Sequence, residues 1–287
     1  MEHLEDLKTF AHWHIASGDI DPVYPVLAGI EDELCADDYE RVALTFLYVA
    51  YYNLPSAVMT WVDGWKPGRE LTWEQMKRPT GTERRAHRDP AQFAPHIFEL
   101  GRMLTPSYID LLRTMGWYEL QDELARWRGN GRWAAYKTGE MLGQVNDWKL
   151  EPQDAGHANS SGPRKGLGDI YPDLVDMKGN SPSVIRLLDN RTNQLVAALD
   201  LPVRQVETIL CDWHSTLKGS YYVGHDIDLM LEQTLHPSVS GAERLLIIDN
   251  RQDCFDQRWL GEANGWSGVR KELKPLYRDK KELIWWS

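Results

Sequence analysis

Residues 154–165 gather an acid, a histidine, two hydroxyls and two cations: Asp154, His157, Ser160, Ser161, Arg164 and Lys165, separated by small residues such as Ala155, Gly156 and Gly162. Arginine and lysine neutralise charge developing on oxygen, and backbone N–H groups left open by small residues cradle anionic oxygens. Such a set suits an anionic substrate. The alternative is a plain surface loop in which Asp154 caps a local turn.

Upstream lies Gly129-Asn130-Gly131-Arg132-Trp133-Ala134-Ala135-Tyr136-Lys137. Glycines at this spacing let the backbone turn with positive φ and approach another surface closely. The helix that follows would present its first N–H groups outward, a ready site for phosphate. Gly129, Gly131 and Arg132 are the candidate contacts, with Lys137 as a surface or phosphate contact. A tight helix–turn–helix corner would use the same glycines.

Two more segments are dense in reactive types. Ser17-Gly18-Asp19-Ile20-Asp21-Pro22-Val23-Tyr24-Pro25 sets two acids and a tyrosine in a turn. Lys218–Asp228 clusters Tyr221, Tyr222, His225, Asp226 and Asp228 at a helix start. His225 beside Asp226 and Asp228 could be a general base or a pocket wall, and Asp226 could equally be a helix N-terminal acid favoured by the macrodipole. Asp212 and His214 in the preceding helix receive no role.

The elements that must position these groups are helices. Apolar residues recur at helical spacing over Leu4–Ile15, over Tyr39–Thr60 with a break near Pro55, and over Phe93–Met103, Ser107–Met115 and Tyr118–Trp127. Residues 62–90 read as a long connection. A helix over 132–144 follows the glycine turn, and 146–168 loses periodicity and reads as loop. Residues 173–188 are ambiguous. Pro202–Leu217 predicts an amphipathic helix with Val203, Val206, Ile209, Leu210, Trp213 and Leu217 on one face. Asp226–Gln233 predicts another, and Arg244–Asp249 fits strand or helix equally. The class is mainly α, over residues 1–287 as one globular domain or as two helical lobes with a DNA and substrate cleft between them.

At 287 residues, 42% hydrophobic and 26% charged, the composition is that of a globular protein with a sizeable core. Three scattered cysteines (Cys35, Cys211, Cys254) fit a reducing compartment and offer no metal cluster. No apolar run approaches a membrane span and the acidic N-terminus has no signal-peptide pattern. The expectation is a cytoplasmic protein with no membrane partner. A net charge of −11 argues mildly against nucleic acid, yet local potential is what steers a polyanion. Basic residues do concentrate locally: Lys77, Arg78, Arg84, Arg85 and Arg88 against Glu83; Arg126, Arg128 and Arg132 around the glycine turn; and Arg164 with Lys165.

The glycine turn resembles the hairpin of helix–hairpin–helix DNA glycosylases, in which a Gly-hydrophobic-Gly turn precedes Thr-Ala and a helix, and Arg132-Trp133 most resembles the alkylation-repair branch. In that family the hairpin binds DNA phosphate through backbone N–H groups, and a catalytic aspartate follows one helix and one loop later, where this chain has Asp154. Asn130 and Ala134 depart from the family pattern. Trp133 stands where bifunctional members carry a Schiff-base lysine, which disfavours lyase chemistry.

The Ser17–Pro22 segment, the His157–Leu167 loop and Tyr222-Val223-Gly224-His225-Asp226-Ile227-Asp228 also resemble a phage family. These are the amino acid:DNA transferases of thymidine hypermodification, relatives of the α-glutamyl/putrescinyl-thymine pyrophosphorylases. That resemblance implies an all-α glycosylase-like fold and replacement of pyrophosphate on an activated 5-hydroxymethyluracil in DNA by an amine or amino acid. DNA and a small amine would be the partners, no cofactor is certain, no metal is assigned, and the setting would be a host cytoplasm. On this reading Asp154 or His157 serves as base, Ser160, Ser161, Arg164 and Lys165 hold pyrophosphate, and Trp133, Tyr221, Tyr222, His225 and Asp226 line the pocket of a flipped base. A monofunctional DNA glycosylase and a non-catalytic DNA-binding protein are the rivals.

Overall fold

The computed structural model describes residues 3–260 apart from Asn159 and Asp176, without the side chains of Arg85 and Ala86. Among the described residues there are fourteen α-helices, short 3-10 turns and no strand, so the protein is mainly α. No described helix is long and apolar enough to cross a membrane.

Local chemistry explains where each helix starts and stops. α1 (Leu4–Ser17) ends at Gly18, which turns left-handed at φ +73 and closes its N–H on the Ile15 carbonyl. α2 (Val23–Leu34) is an addition to the sequence reading: Pro25 and Gly29 obscure an apolar face of Tyr24, Val26, Leu27 and Ile30. The single run expected over Tyr39–Thr60 is two helices, α3 (Asp38–Tyr51) and α4 (Leu54–Val62). Tyr52 breaks them at φ +49, and Asn53, accepting the Ser56 N–H, caps the second.

The connection expected over 62–90 holds α5 (Trp73–Met76) and a 3-10 segment, Thr82–Arg88. α6 (Pro90–Met103), α7 (Pro106–Arg113) and α8 (Trp117–Leu124) are the three expected short helices, opened by Pro90, Pro106 and Gly116. α9 (Arg132–Gln144) follows the glycine turn. α10 (Gly162–Ile170) begins inside the stretch expected as loop, because Pro163 suits a first turn although two further glycines weaken the helical signal. α11 (Pro182–Leu199), α12 (Val203–Leu217), α13 (His225–Thr234) and α14 (Gly241–Cys254) complete the set. The last resolves Arg244–Asp249 as helix.

The chain divides into two compact units assembled from discontinuous segments. Among the described residues, the first draws on residues 3–22, 152–229 and 255–260; the second on 23–151 and 230–254. In the first, α10 lies along α12 with α1 and α11 beside it. Gly162 and Gly166 allow that approach: a methyl group on Gly166 would strike the Leu210 carbonyl, and one on Gly162 the Cys211 sulfur. In the second, α3 is the central helix, buried from Val42 through Tyr51 and packed by α2, α4, α6 and α9.

Candidate functional site

In the first unit a network of acids and imidazoles forms where the end of α1, the face of α12 and the start of α13 meet. Asp19 is its hub, wholly buried. Its carboxylate accepts the N–H groups of Gly224 (2.7 Å), Asp226 (3.0 Å) and Ile227 (3.0 Å), and the hydroxyl of Tyr221 (2.5 Å). The acid therefore caps α13 from about two hundred residues away in sequence, satisfying N–H groups that a helix start leaves open. Burial and the nearby Asp226 charge raise its pKa to about 7, against the pull of His14 and Tyr221.

His14, on the last turn of α1, is also fully buried, and its Nε2 meets Asp212 of α12 at 2.8 Å. Burial opposes its charge, yet the hydrogen bond and charge of Asp212, helped by Asp19 and Asp226, raise it to about 9. The pair is thus ionic at neutral pH, wedged between Phe10 and Tyr221. Asp21 accepts the Thr208 hydroxyl at 3.0 Å. Farther along α12, His214 Nδ1 meets Asp169 of α10 at 2.7 Å.

His225 occupies the accessible edge of this network. Asp226 contacts its Nδ1 at 2.7 Å, and its ring lies 5.0 Å from that of Tyr221 and 5.3 Å from that of Tyr222. Side-chain exposures of 15% for His225 and 40% for Asp226 leave the pair within reach of a ligand. An imidazole whose Nδ1–H is held by a carboxylate presents Nε2 as a base. The two tyrosines are less available as stacking surfaces: Tyr221 is 4% and Tyr222 7% exposed, and the Tyr222 hydroxyl donates to Asp228.

The 154–165 segment belongs to the same unit but takes other partners. Asp154 accepts the Gly156 N–H at 2.7 Å, the local turn that was its alternative reading. Its charge, after burial, raises the pKa of Asp189. His157 is 2% exposed and its Nε2 meets Thr192 of α11 at 2.7 Å. Burial and Arg164 push His157 down to about 4, so it is neutral at physiological pH. Arg164 donates to the Gly179 carbonyl (3.0 Å) and Asn180 (2.6 Å), binding the loop to the segment before α11. Ser160 is half-buried, whereas Ser161, the residue before α10, and Lys165 are exposed.

In the second unit, the glycine turn has one demanding glycine. Gly129 has φ +81 and a Cβ there would sit 2.6 Å from the His96 ring. Gly131 has φ −78, open space around it, and stands at the start of α9 without a side-chain cap. Arg132 is exposed and Trp133 half-buried, edge-on to Tyr52 at 4.9 Å. Lys137 is 7% exposed and pairs with Glu140 at 2.7 Å. That places it inside the helix packing, away from the surface position read from sequence.

Sequence reasoning listed Tyr221, Tyr222, His225 and Asp226, which the fold brings together. It missed that His14, Asp19 and Asp212 complete their surroundings. The only signal was the density of acids in Ser17–Pro22. Among the described residues no group of histidine, cysteine and acids has the arrangement of a metal site.

A helical unit with a partly accessible His–Asp pair on a buried ionic network has the makings of acid–base group-transfer chemistry. The family model described as amino acid:DNA transferase matches residues 15–222. The chain belongs to that family, and its matched region includes His157, Arg164, Asp212, Tyr221 and the glycine turn.

Proposed function

We propose that this protein transfers an amino acid or related amine onto a pyrophosphorylated 5-hydroxymethyluracil in DNA. In that step the amine nitrogen bonds to the base's exocyclic methylene carbon. The bond from that carbon to the pyrophosphate oxygen breaks, pyrophosphate leaves, and the amine proton passes to a base. The observation that carries the reading is the accessible His225–Asp226 pair on the buried Asp19–Tyr221 and His14–Asp212 network, in a member of the amino acid:DNA transferase family.

His225 is the preferred base, oriented by Asp226 and walled by Tyr221 and Tyr222. Asp154 is the competing base, half-exposed but engaged in its own turn; buried, neutral His157 serves better to hold the loop. Pyrophosphate would sit at the start of α10, where Ser160, Ser161 and Lys165 surround a helix N-terminus without a side-chain cap and Arg164 adds charge. The Gly129–Arg132 turn and Trp133 belong to a helix–hairpin–helix-like grip on the DNA backbone.

The deciding experiment incubates the protein with DNA carrying pyrophosphorylated hydroxymethyluracil and a pool of amino acids, and follows pyrophosphate release and nucleoside mass. Release coupled to a mass gain of one amino acid supports the reading. Abasic sites instead would transfer the assignment to a glycosylase, with Asp154 assisting glycosidic cleavage.

A further inference from the structure

Beneath the glycine turn lies a buried positive charge without a counter-acid. Arg84, in the 3-10 segment between α5 and α6, is only 6% exposed. Its Nε donates to the Ala50 carbonyl (3.3 Å), and Nη2 reaches the Nε2 atoms of His87 (3.4 Å) and His96 (3.3 Å). Nη1 donates no hydrogen bond to the described residues, and no described carboxylate pairs with the guanidinium.

The two histidines cannot balance it. Burial and the Arg84 charge depress His87 to about 4 and His96 to about 3, so both are neutral and act as acceptors toward Arg84. Each uses its other nitrogen on a carbonyl: His87 Nδ1 donates to Ala50 (2.8 Å) and His96 Nδ1 to Arg128 (2.5 Å). The Arg128 carbonyl opens the turn, and Gly129 rests on the His96 ring. A line of hydrogen bonds therefore runs Arg84–His96–Arg128 into the corner from which α9 starts without a side-chain cap.

A buried ionic group left without a partner costs far more than an exposed one, and its field is poorly screened by water. We propose that Arg84, with His87 and His96 as neutral relays, forms a built-in counter-charge for a phosphate oxyanion bound at the Gly129–Arg132 turn. The exposed Arg132 and the first N–H groups of α9 would touch the anion, and Arg84 would hold the potential beneath it. This rests on the reading of the turn as a DNA grip, and it adds a residue that neither the hairpin resemblance nor the family assigns. The phosphate could belong to the DNA backbone or to free pyrophosphate, a distinction the test must make.

The test uses the full chain and Arg84→Met, with duplex DNA and inorganic pyrophosphate as separate probes. Methionine removes the charge but also the donors to Ala50, His87 and His96, so Tm without ligand should fall. Duplex affinity should fall, and the slope of log Kd against log salt should shrink by about 1, as for loss of one phosphate contact. If the anion is pyrophosphate instead, the wild type shows no Arg84-dependent duplex binding, but pyrophosphate raises its Tm and fails to raise that of Arg84→Met. That outcome keeps the anion site and removes the DNA grip. Identical salt slopes and identical pyrophosphate responses in both proteins overturn the inference. If Arg84→Met no longer folds, Arg84→Gln, which keeps a neutral donor toward the imidazoles, carries the same comparison, and wild-type salt slopes and pyrophosphate responses in it overturn the inference.

Discussion

Asp19 shows how much one side chain can carry in this protein. Four donors converge on it, three from the backbone at the start of α13 and one from Tyr221. Asp19→Ala leaves all four without their acceptor in a buried place. We expect a loss of about 3–5 kcal/mol in urea unfolding; a loss under about 1 kcal/mol would mean that water replaces the carboxylate. His225 is different, since it lies at the edge of the same network and its loss should spare the fold. His225→Gln should lower the rate of amine transfer by about 10²–10⁴-fold in single-turnover assays, with duplex affinity retained. If transfer persists in that variant and vanishes in Asp154→Asn, the base is Asp154.

Between helices and at their corners, glycine is sterically required at three positions and not at a fourth. α10 can lie on α12 only because Gly162 and Gly166 have no side chains. Gly166→Ala forces the helices apart and should cost about 1–3 kcal/mol, as overpacking does, read as a lower Tm. Gly129 and Gly131 look equivalent in sequence, but Gly129 alone is left-handed and pressed on His96. Gly129→Ala should therefore destabilise the turn and weaken duplex binding, while Gly131→Ala, with open space around it, loses only the N-cap preference for glycine over alanine and should cost about 0.5–1 kcal/mol. Equal effects from the two substitutions would contradict the turn geometry.

For the molecule as a whole, the His14–Asp212 pair predicts how stability follows pH. His14 is raised from its ordinary 6.5 to about 9, so its contribution is complete below about 6.5 and is lost as pH rises through about 9. Glu31, raised to about 8 mainly by burial, adds its own loss as pH climbs from its ordinary 4.5. The decline in Tm between about pH 8 and 9 is accordingly the His14 signature. It should flatten in Asp212→Asn, and an unchanged decline would show that the pair is not ionic.

The helices of this chain were largely legible in its sequence, because apolar spacing and caps act over a single turn. So were the glycine turn before α9 and the acid-rich segment around Asp19. α10 and α11 were hidden in stretches that glycine and polar residues made look irregular, since their stability comes from packing on α12. The ionic network was beyond local pattern altogether: His14, Asp19, Asp212 and Tyr221 stand up to about two hundred positions apart. In sequence Arg84 is one of several clustered cations, and only folding shows it buried against neutral imidazoles with no described carboxylate beside it. A side chain's type sets the chemistry it can perform, whereas burial and partners, which set its protonation and reach, depend on the whole chain being folded.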